Sequence, residues 1–153
     1  MQMSLDQFRS LLQAAGEEIS QINMIVEVAA DSWYLELDDA LTMQIFFDAE
    51  TNHAEFYAEL VKPMKEYELG VLQTLLCLQY LQGNSPRPRF AMDKPDGNLL
   101  CLLDVQEVDL EIKNFFTILE YFCTYVIHLC EFIRSYPQQN FSPISATYLA
   151  LQV

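Results

Sequence analysis

Two histidines, four cysteines and several adjacent acids are the side chains here that could do acid–base, metal or nucleophilic chemistry. His53 stands in a predicted turn and His128 on the polar side of a predicted helix, so the two belong to different elements. Asp38 and Asp39 are adjacent at another predicted turn, where carboxylates are usually solvated. Catalytic carboxylates need burial or a like-charged neighbour across a cleft. We therefore predict no catalytic residue and no enzyme activity.

The cysteines also lack the spacing of a metal or redox site. They are Cys77, Cys101, Cys123 and Cys130, each within an apolar run. No C-x-x-C pair occurs, and neither histidine stands at zinc-site spacing from a cysteine. The four glycines are dispersed, so a phosphate-binding loop is absent. We expect packed, reduced thiols, no metal and no cofactor.

Charge and composition narrow the class of protein further. Eight Lys and Arg stand against 22 Asp and Glu, a net charge of −14 that repels nucleic acid and anionic membranes. Hydrophobic residues make up 52% of the 153, which fits one folded domain. Asp6 and Arg9 interrupt the N-terminal segment, so no signal peptide is predicted. The acidity suits a protein that must stay soluble while it exposes apolar surface.

The most apolar stretch, residues 115–133, requires a membrane test. Polar residues recur there and just before it at steps of three and four, which places one polar stripe along a helix. The stripe consists of Lys113, Thr117, Glu120, Thr124, His128 and Glu131. A lipid-facing span would be destabilised by a central Glu, so we predict a helix buried on most sides and no membrane insertion.

These side chains are positioned by a predicted order of helix, three or four strands, helix, two strands and helix. The first helix covers 4–15, with Ser4 as N-cap, Gln7 in a capping box and Gly16 as the terminator. Period-two alternation over 22–61 indicates an antiparallel meander. The second helix covers 64–82 and stops at 83–86. Strands at 87–93 and 98–105 flank a turn at 94–97, and Asp109 caps a last helix that ends near Tyr136.

The fold class predicted from this order is α+β, a twisted antiparallel sheet with three helices packed on it. The uncharged tail, 137–153, either is flexible or packs on a neighbour. Apolar residues lie on most faces of the predicted elements, more than one core of this size readily buries. The surplus predicts a subunit interface or a partner groove; the alternative is a single large core.

Several segments resemble the class I type III secretion chaperones, the acidic, Tir-chaperone-like effector chaperones. Residues 69–84 read LGVLQTLLCLQYLQGN, similar to the middle helix of that family. Residues 87–129 are similar to its hairpin and last helix, with FAMD before the turn and LLCLLDV after it. SLDQFRSLLQAAG is similar to the first helix and WYLELDDALTMQIFFDAETNHAEFYAEL to the meander. The resemblance covers about residues 4–135.

The resemblance implies an α-β-β-β-α-β-β-α chaperone domain over 1–136, a homodimer, and a place in the bacterial cytoplasm. It implies a dimer interface on the middle helix and the following strand, which suggests Leu72, Leu76, Gln79 and Phe90. It implies binding of the N-terminal segment of a secreted effector in extended form, and it allows contact with the export-apparatus ATPase. For the effector-binding face we select Phe8, Leu12, Trp33, Leu35, Met92 and Leu100.

Two other hypotheses remain open from the sequence. A regulatory adaptor on the same scaffold would bind a folded regulator or a component of the secretion apparatus, and the tail motivates it. A small enzyme has no motif in its favour. The adaptor hypothesis predicts a folded protein as the partner, and the enzyme hypothesis predicts a cofactor. The chaperone hypothesis predicts an extended segment instead.

Overall fold

The computed structural model describes residues 2–82 and 87–136. The predicted helix stop at 83–86 and the tail at 137–153 lie outside the described residues. The helices are α1 (Leu5–Glu18), α2 (Glu68–Leu81) and α3 (Ile112–Ser135). The strands are β1 (Ile22–Ala29), β2 (Ser32–Leu37), β3 (Thr42–Asp48), β4 (His53–Glu59), β5 (Arg89–Met92) and β6 (Leu99–Val105). Short 3-10 turns lie at Asp38–Ala40, Lys65–Tyr67 and Glu107–Asp109.

The six strands form one antiparallel sheet in the order β1-β2-β3-β4-β6-β5. This confirms the α+β class with three helices and an antiparallel sheet. The meander contributes four strands, the higher of the two predicted counts. The predicted hairpin turn joins β5 to β6, where the Gly97 N–H donates to the Lys94 carbonyl at 2.9 Å.

The start of α1 matches the prediction, but its end does not. The Ser4 side chain accepts from the Gln7 N–H and the Gln7 side chain accepts from the Ser4 N–H, a complete capping box. Gly16 does not end the helix, which continues to Glu18. A Cβ at Gly16 would lie 2.5 Å from Ile25 Cδ1 on β1. The glycine therefore serves close packing of the helix on the edge strand.

The starts of α2 and α3 lie later than predicted. The chain makes a 3-10 turn at Lys65–Tyr67 before α2 begins at Glu68. Asp109 is not a helix cap, because it lies in the 3-10 turn that precedes α3. Leu110 follows this turn and is almost fully buried, so the chain first places Leu110 in the core and only then starts the helix.

The core lies between α1, α3 and one face of the sheet. The Phe8 ring of α1 stacks on Phe47 of β3 with centroids 4.2 Å apart, and Phe115 of α3 meets Phe8 edge-on. Phe56 of β4 contacts both Phe115 and Phe122. The result is a continuous aromatic layer that ties both helices to the sheet.

Helix α3 is long and apolar enough to cross a membrane by length and composition. Its apolar face is instead the main covering of the sheet, with these residues buried: Phe115, Ile118, Leu119, Phe122, Cys123, Tyr125, Val126, Leu129, Cys130, Phe132 and Ile133. The predicted polar stripe is exposed or half-buried along its whole length. The helix thus behaves as the core helix that the stripe predicted.

Candidate partner-binding site

The side chains selected from the sequence for effector binding are mostly in the core. Phe8 and Leu35 are fully buried, and Leu12, Trp33 and Leu100 are nearly so. The apolar face of α1 covers the sheet face that carries Trp33 and Leu35, so these side chains are not available on the surface. Leu100 is buried on the opposite face of the sheet, outside this core. Met92 is the exception, exposed at the end of β5.

Strand β1 forms an open edge of the sheet. It pairs with β2 on one side only, over Ile22–Ala29. Among the described residues no second strand pairs with it. Its sequence, INMIVEVA, contains no proline and no lysine, but it carries the charged Glu27, and its register with β2 shifts between Ile22 and Met24 and between Glu27 and Ala29. Charges and bulges protect an edge, so the part best suited to pairing is residues 24–27. Met24, Val26 and Val28 on this strand are 43%, 41% and 59% exposed. Such a strand is a template for pairing with another chain.

The opposite edge is different because α2 lies against it. Strand β5 has only four residues, Arg89–Met92. The Phe90 N–H donates at 2.8 Å to Oε1 of Gln79 on α2, and Phe90 stacks on Tyr125 of α3. Its backbone is therefore partly occupied from within the chain, and β1 is the edge available to a partner.

A cavity of about 390 Å³ opens beside β1, between this strand and α1. Its lining comes from α1, β1 and β2: Arg9, Leu12, Gln13, Gly16, Ile22, Asn23, Met24, Ile25, Glu27 and Trp33. Leu12 and Trp33, both selected from the sequence, form part of its wall. The β1 residues were missed, although alternation without a protecting Lys or Pro is a signal that the sequence carries.

An ion pair between Arg9 and Glu27 lies at the mouth of this cavity. Arg9 donates to both carboxylate oxygens of Glu27 at 2.8 Å and also contacts Asp6. The hydrogen bond from Arg9 is the largest effect on Glu27 and lowers the pKa of its carboxyl. Donating to Glu27 likewise raises the pKa of the Arg9 guanidinium. Both groups therefore stay charged over the physiological range and hold α1 to the edge strand.

A wider apolar groove of about 1220 Å³ lies on the other side of α1, against the start of α3. Its apolar lining includes Met3, Leu11, Ala14, Val108, Leu110, Ile112 and Phe116. Val108 and Ile112 are 71% and 65% exposed, which is unusual for large aliphatic side chains. Helix α1 thus separates two concave surfaces, one beside β1 and one beside α3.

Helix α2 carries several large apolar side chains that are exposed. Leu69, Leu76 and Tyr80 are 68%, 63% and 87% exposed. Of the residues selected for a dimer interface, Leu76 is exposed, Leu72 is half-buried, and Gln79 and Phe90 are joined to each other within the chain. The face of α2 that points away from the core is therefore apolar.

The fold does not bring the two histidines together. His53 Nε2 lies 3.6 Å from an Asp104 carboxylate oxygen on the sheet surface, while His128 lies on the polar stripe of α3. Residues 2–82 and 87–136 contain no cluster of three or more His, Cys, Asp or Glu suited to a metal.

The cysteines are free, as predicted, but not all are packed. Cys101, Cys123 and Cys130 are buried, whereas Cys77 on α2 is exposed. Burial raises the pKa of Cys123 to about 12 and also raises that of Cys101 and Cys130. The three buried thiols are therefore unreactive at neutral pH.

No protein-family model and no curated protein matches this sequence. Among solved structures, a chain of the HopA1–SchA chaperone–effector complex has the same fold, with a TM-score of 0.58 at 13% identity. The match covers 81% of this chain and 93% of that chain. The fold is thus that of a chain from a chaperone–effector complex, which supports at the level of fold the resemblance to class I type III secretion chaperones.

Proposed function

We propose that this protein is a bacterial cytoplasmic chaperone that binds the N-terminal segment of one or more type III secreted effectors in extended form. Binding keeps the effector soluble and competent for secretion, and it requires no catalytic step and no cofactor. The support is the fold shared with a chain of a chaperone–effector complex, combined with apolar side chains that are exposed in the described part of the chain.

The observation that carries this proposal is the open edge of β1 beside a cavity lined by both polar and apolar side chains. An extended segment that pairs with β1 gains main-chain hydrogen bonds, and its alternate side chains point to opposite faces. One set then enters the cavity between α1 and β1, where Leu12 and Trp33 form the wall. The part of β1 in continuous register, residues 24–27, is about 13 Å long, enough for about four partner residues.

The proposed assembly is a homodimer formed through α2. Its exposed Leu69, Leu76 and Tyr80 would be covered by the same face of a second copy, as a two-fold interface requires. A dimer places two open β1 edges on one particle, so a single effector segment can bind to both.

The experiment is co-expression with the N-terminal segment of a candidate effector, followed by limited proteolysis and hydrogen exchange. We expect a short protected effector segment and slowed amide exchange in β1. Gln13→Trp, at the exposed mouth of the cavity, should reduce binding, whereas Asn114→Trp on α3 should not.

Unchanged exchange in β1 with a bound effector would contradict the proposal. A compact, fully folded partner that leaves β1 unprotected would favour the regulatory adaptor instead.

A further inference from the structure

The face of the sheet opposite the core carries an uncharged row that runs across five of the six strands. The register places Val26, Tyr34, Gln44, Tyr57 and Leu102 side by side on β1, β2, β3, β4 and β6. Arg89 on β5 pairs with Leu102 and stands at the end of the row. Because neighbouring strands are about 4.8 Å apart, the five uncharged residues span about 19 Å and the row including Arg89 about 24 Å.

This row remains accessible because the aromatic contacts of α1 and α3 are on the other face. Val26 is 41% exposed, and Phe46, in the next row, is 43% exposed. The four other uncharged members are half-buried: Tyr34, Gln44, Tyr57 and Leu102. We call Val26, Tyr34, Gln44, Tyr57, Leu102 and the adjacent Phe46 the outer stripe.

Acidic side chains border the outer stripe on both sides. Glu36 on β2 and Glu59 on β4 stand two positions from Tyr34 and Tyr57 in one direction along the strands. Glu55 on β4 and Asp104 on β6 stand two positions away in the other direction. Burial, followed by the charges of Asp93 and Glu59, raises the pKa of Tyr57, so acids do act on the stripe.

The basic side chain at the end of the stripe offsets only one of these margins. Arg89 donates to Asp104 at 2.9 Å and lies 3.7 Å from Glu55, so the negative charge of that margin is reduced. Glu36 and Glu59, on the other margin, do not belong to this ion pair. A partner therefore meets an uncharged strip with one negative margin, which is complementary to a helix whose apolar face is bordered by Lys and Arg.

We propose that the outer stripe binds a basic amphipathic helix of a partner protein. A helix of about 16 residues spans 24 Å, the length of the row including Arg89. The site lies on the face opposite α1, so it excludes the cavity proposed for the extended segment and shares only Val26 with the β1 edge. A second copy of this chain is a poor occupant, because α1 and α3 together contain only Arg9, Lys113 and Arg134 as basic residues and α2 contains none.

The test uses the full chain and a synthetic 16-residue helical peptide with a leucine face flanked by lysines, titrated by fluorescence anisotropy. A glutamate-flanked peptide of the same length is the ligand control. The variant Glu36→Lys/Glu59→Lys removes one acidic margin and should weaken binding of the lysine peptide about tenfold. Glu17→Lys/Glu18→Lys on α1 changes the net charge equally and should weaken it by less than about twofold.

A second readout needs no variant. On addition of the lysine peptide, methyl resonances of Val26 and Leu102 should shift, while those of Leu69 and Val108 should not. Equal weakening by both charge variants would show attraction by net charge alone and overturn the proposal, as would the absence of binding or shifts confined to the α1 cavity. Gln13→Trp should bind the lysine peptide normally even if the extended segment proves not to bind, so the two proposals fail separately.

Discussion

The guanidinium of Arg9 on α1 donates two hydrogen bonds to the carboxylate of Glu27 on β1, Nε to Oε2 and Nη2 to Oε1, each 2.8 Å long. A two-pronged pair of this kind fixes both distance and orientation. It therefore sets the spacing between α1 and the open edge strand, and with it the width of the cavity that lies between them.

This pair gives stability a defined pH dependence. The hydrogen bond from Arg9 lowers the pKa of Glu27 from its ordinary value of 4.5, so the stabilisation is present above 4.5 and is lost as the pH falls through the folded-state pKa. Glu27→Gln should be slightly less stable than the natural protein in urea at neutral pH, and the difference should vanish well below 4.5. Glu17→Gln, an exposed acid of α1, serves as control. A difference that persists in acid would assign the effect to packing.

Gly16 offers a test of helix–strand contact. Alanine at this position should favour the helix by about 0.5–1 kcal/mol, but its Cβ would lie 2.5 Å from Ile25 Cδ1. Gly16→Ala should therefore be more favourable in an Ile25→Val background, which lacks that methyl group, than in the natural chain. A double-mutant cycle in urea measures this coupling. Equal effects in the two backgrounds would show that Ile25 moves aside without cost.

The aromatic layer predicts the most damaging truncation. Phe8 is fully buried and contacts Trp33, Phe47 and Phe115. Phe8→Ala should lower the free energy of unfolding by about 3–5 kcal/mol. Val108→Ala, at a 71% exposed site, should change it by less than about 0.5 kcal/mol. Urea titration at fixed protein concentration measures both, and similar values would contradict the placement of α1.

The proposed dimer can be tested through Cys77. Light scattering should give twice 17.7 kDa, and Leu76→Lys should reduce this to one chain. Cys77 is exposed on α2, so a thiol reagent should label it quickly in Leu76→Lys and more slowly as the natural protein is concentrated. Val108→Lys is the matched control. A monomeric natural protein at micromolar concentration would overturn the dimer.

Salt should distinguish the two proposed surfaces. Burial of side chains beside β1 depends little on ionic strength, so moderate salt should weaken binding of an extended effector segment only slightly. The negative margin of the outer stripe predicts clear weakening for the lysine peptide over the same range. A hundredfold loss of effector affinity between low and physiological salt would mean that charge, and not apolar burial, drives effector binding.

The sequence predicts the elements well because local signals specify them. Alternation gives the meander, and Ser4 with Gln7 marks the start of α1. The predictions that Gly16 ends α1 and that Asp109 caps α3 are wrong because the roles of these residues come from tertiary packing. Gly16 leaves room for Ile25, and Asp109 precedes the buried Leu110.

The candidate site was harder to predict. Alternation shows that a strand has two faces but not which one the helices cover, so Trp33 and Leu35 were selected for a surface although they form the core. The open edge follows only from the strand order, which pairs β6 with β4 across the intervening α2.

That strand order has a consequence for the growing chain. Strands β1 to β4 are consecutive neighbours and can pair as soon as residue 59 has left the ribosome, whereas β4 joins Val105 of β6 only after about 50 further residues. The helix that covers Phe56 is the last of the described helices to be made. During synthesis α1 can cover part of the meander, but the apolar surface around Phe56 stays exposed until α3 is complete, so a ribosome stalled before residue 112 would leave an aggregation-prone nascent sheet.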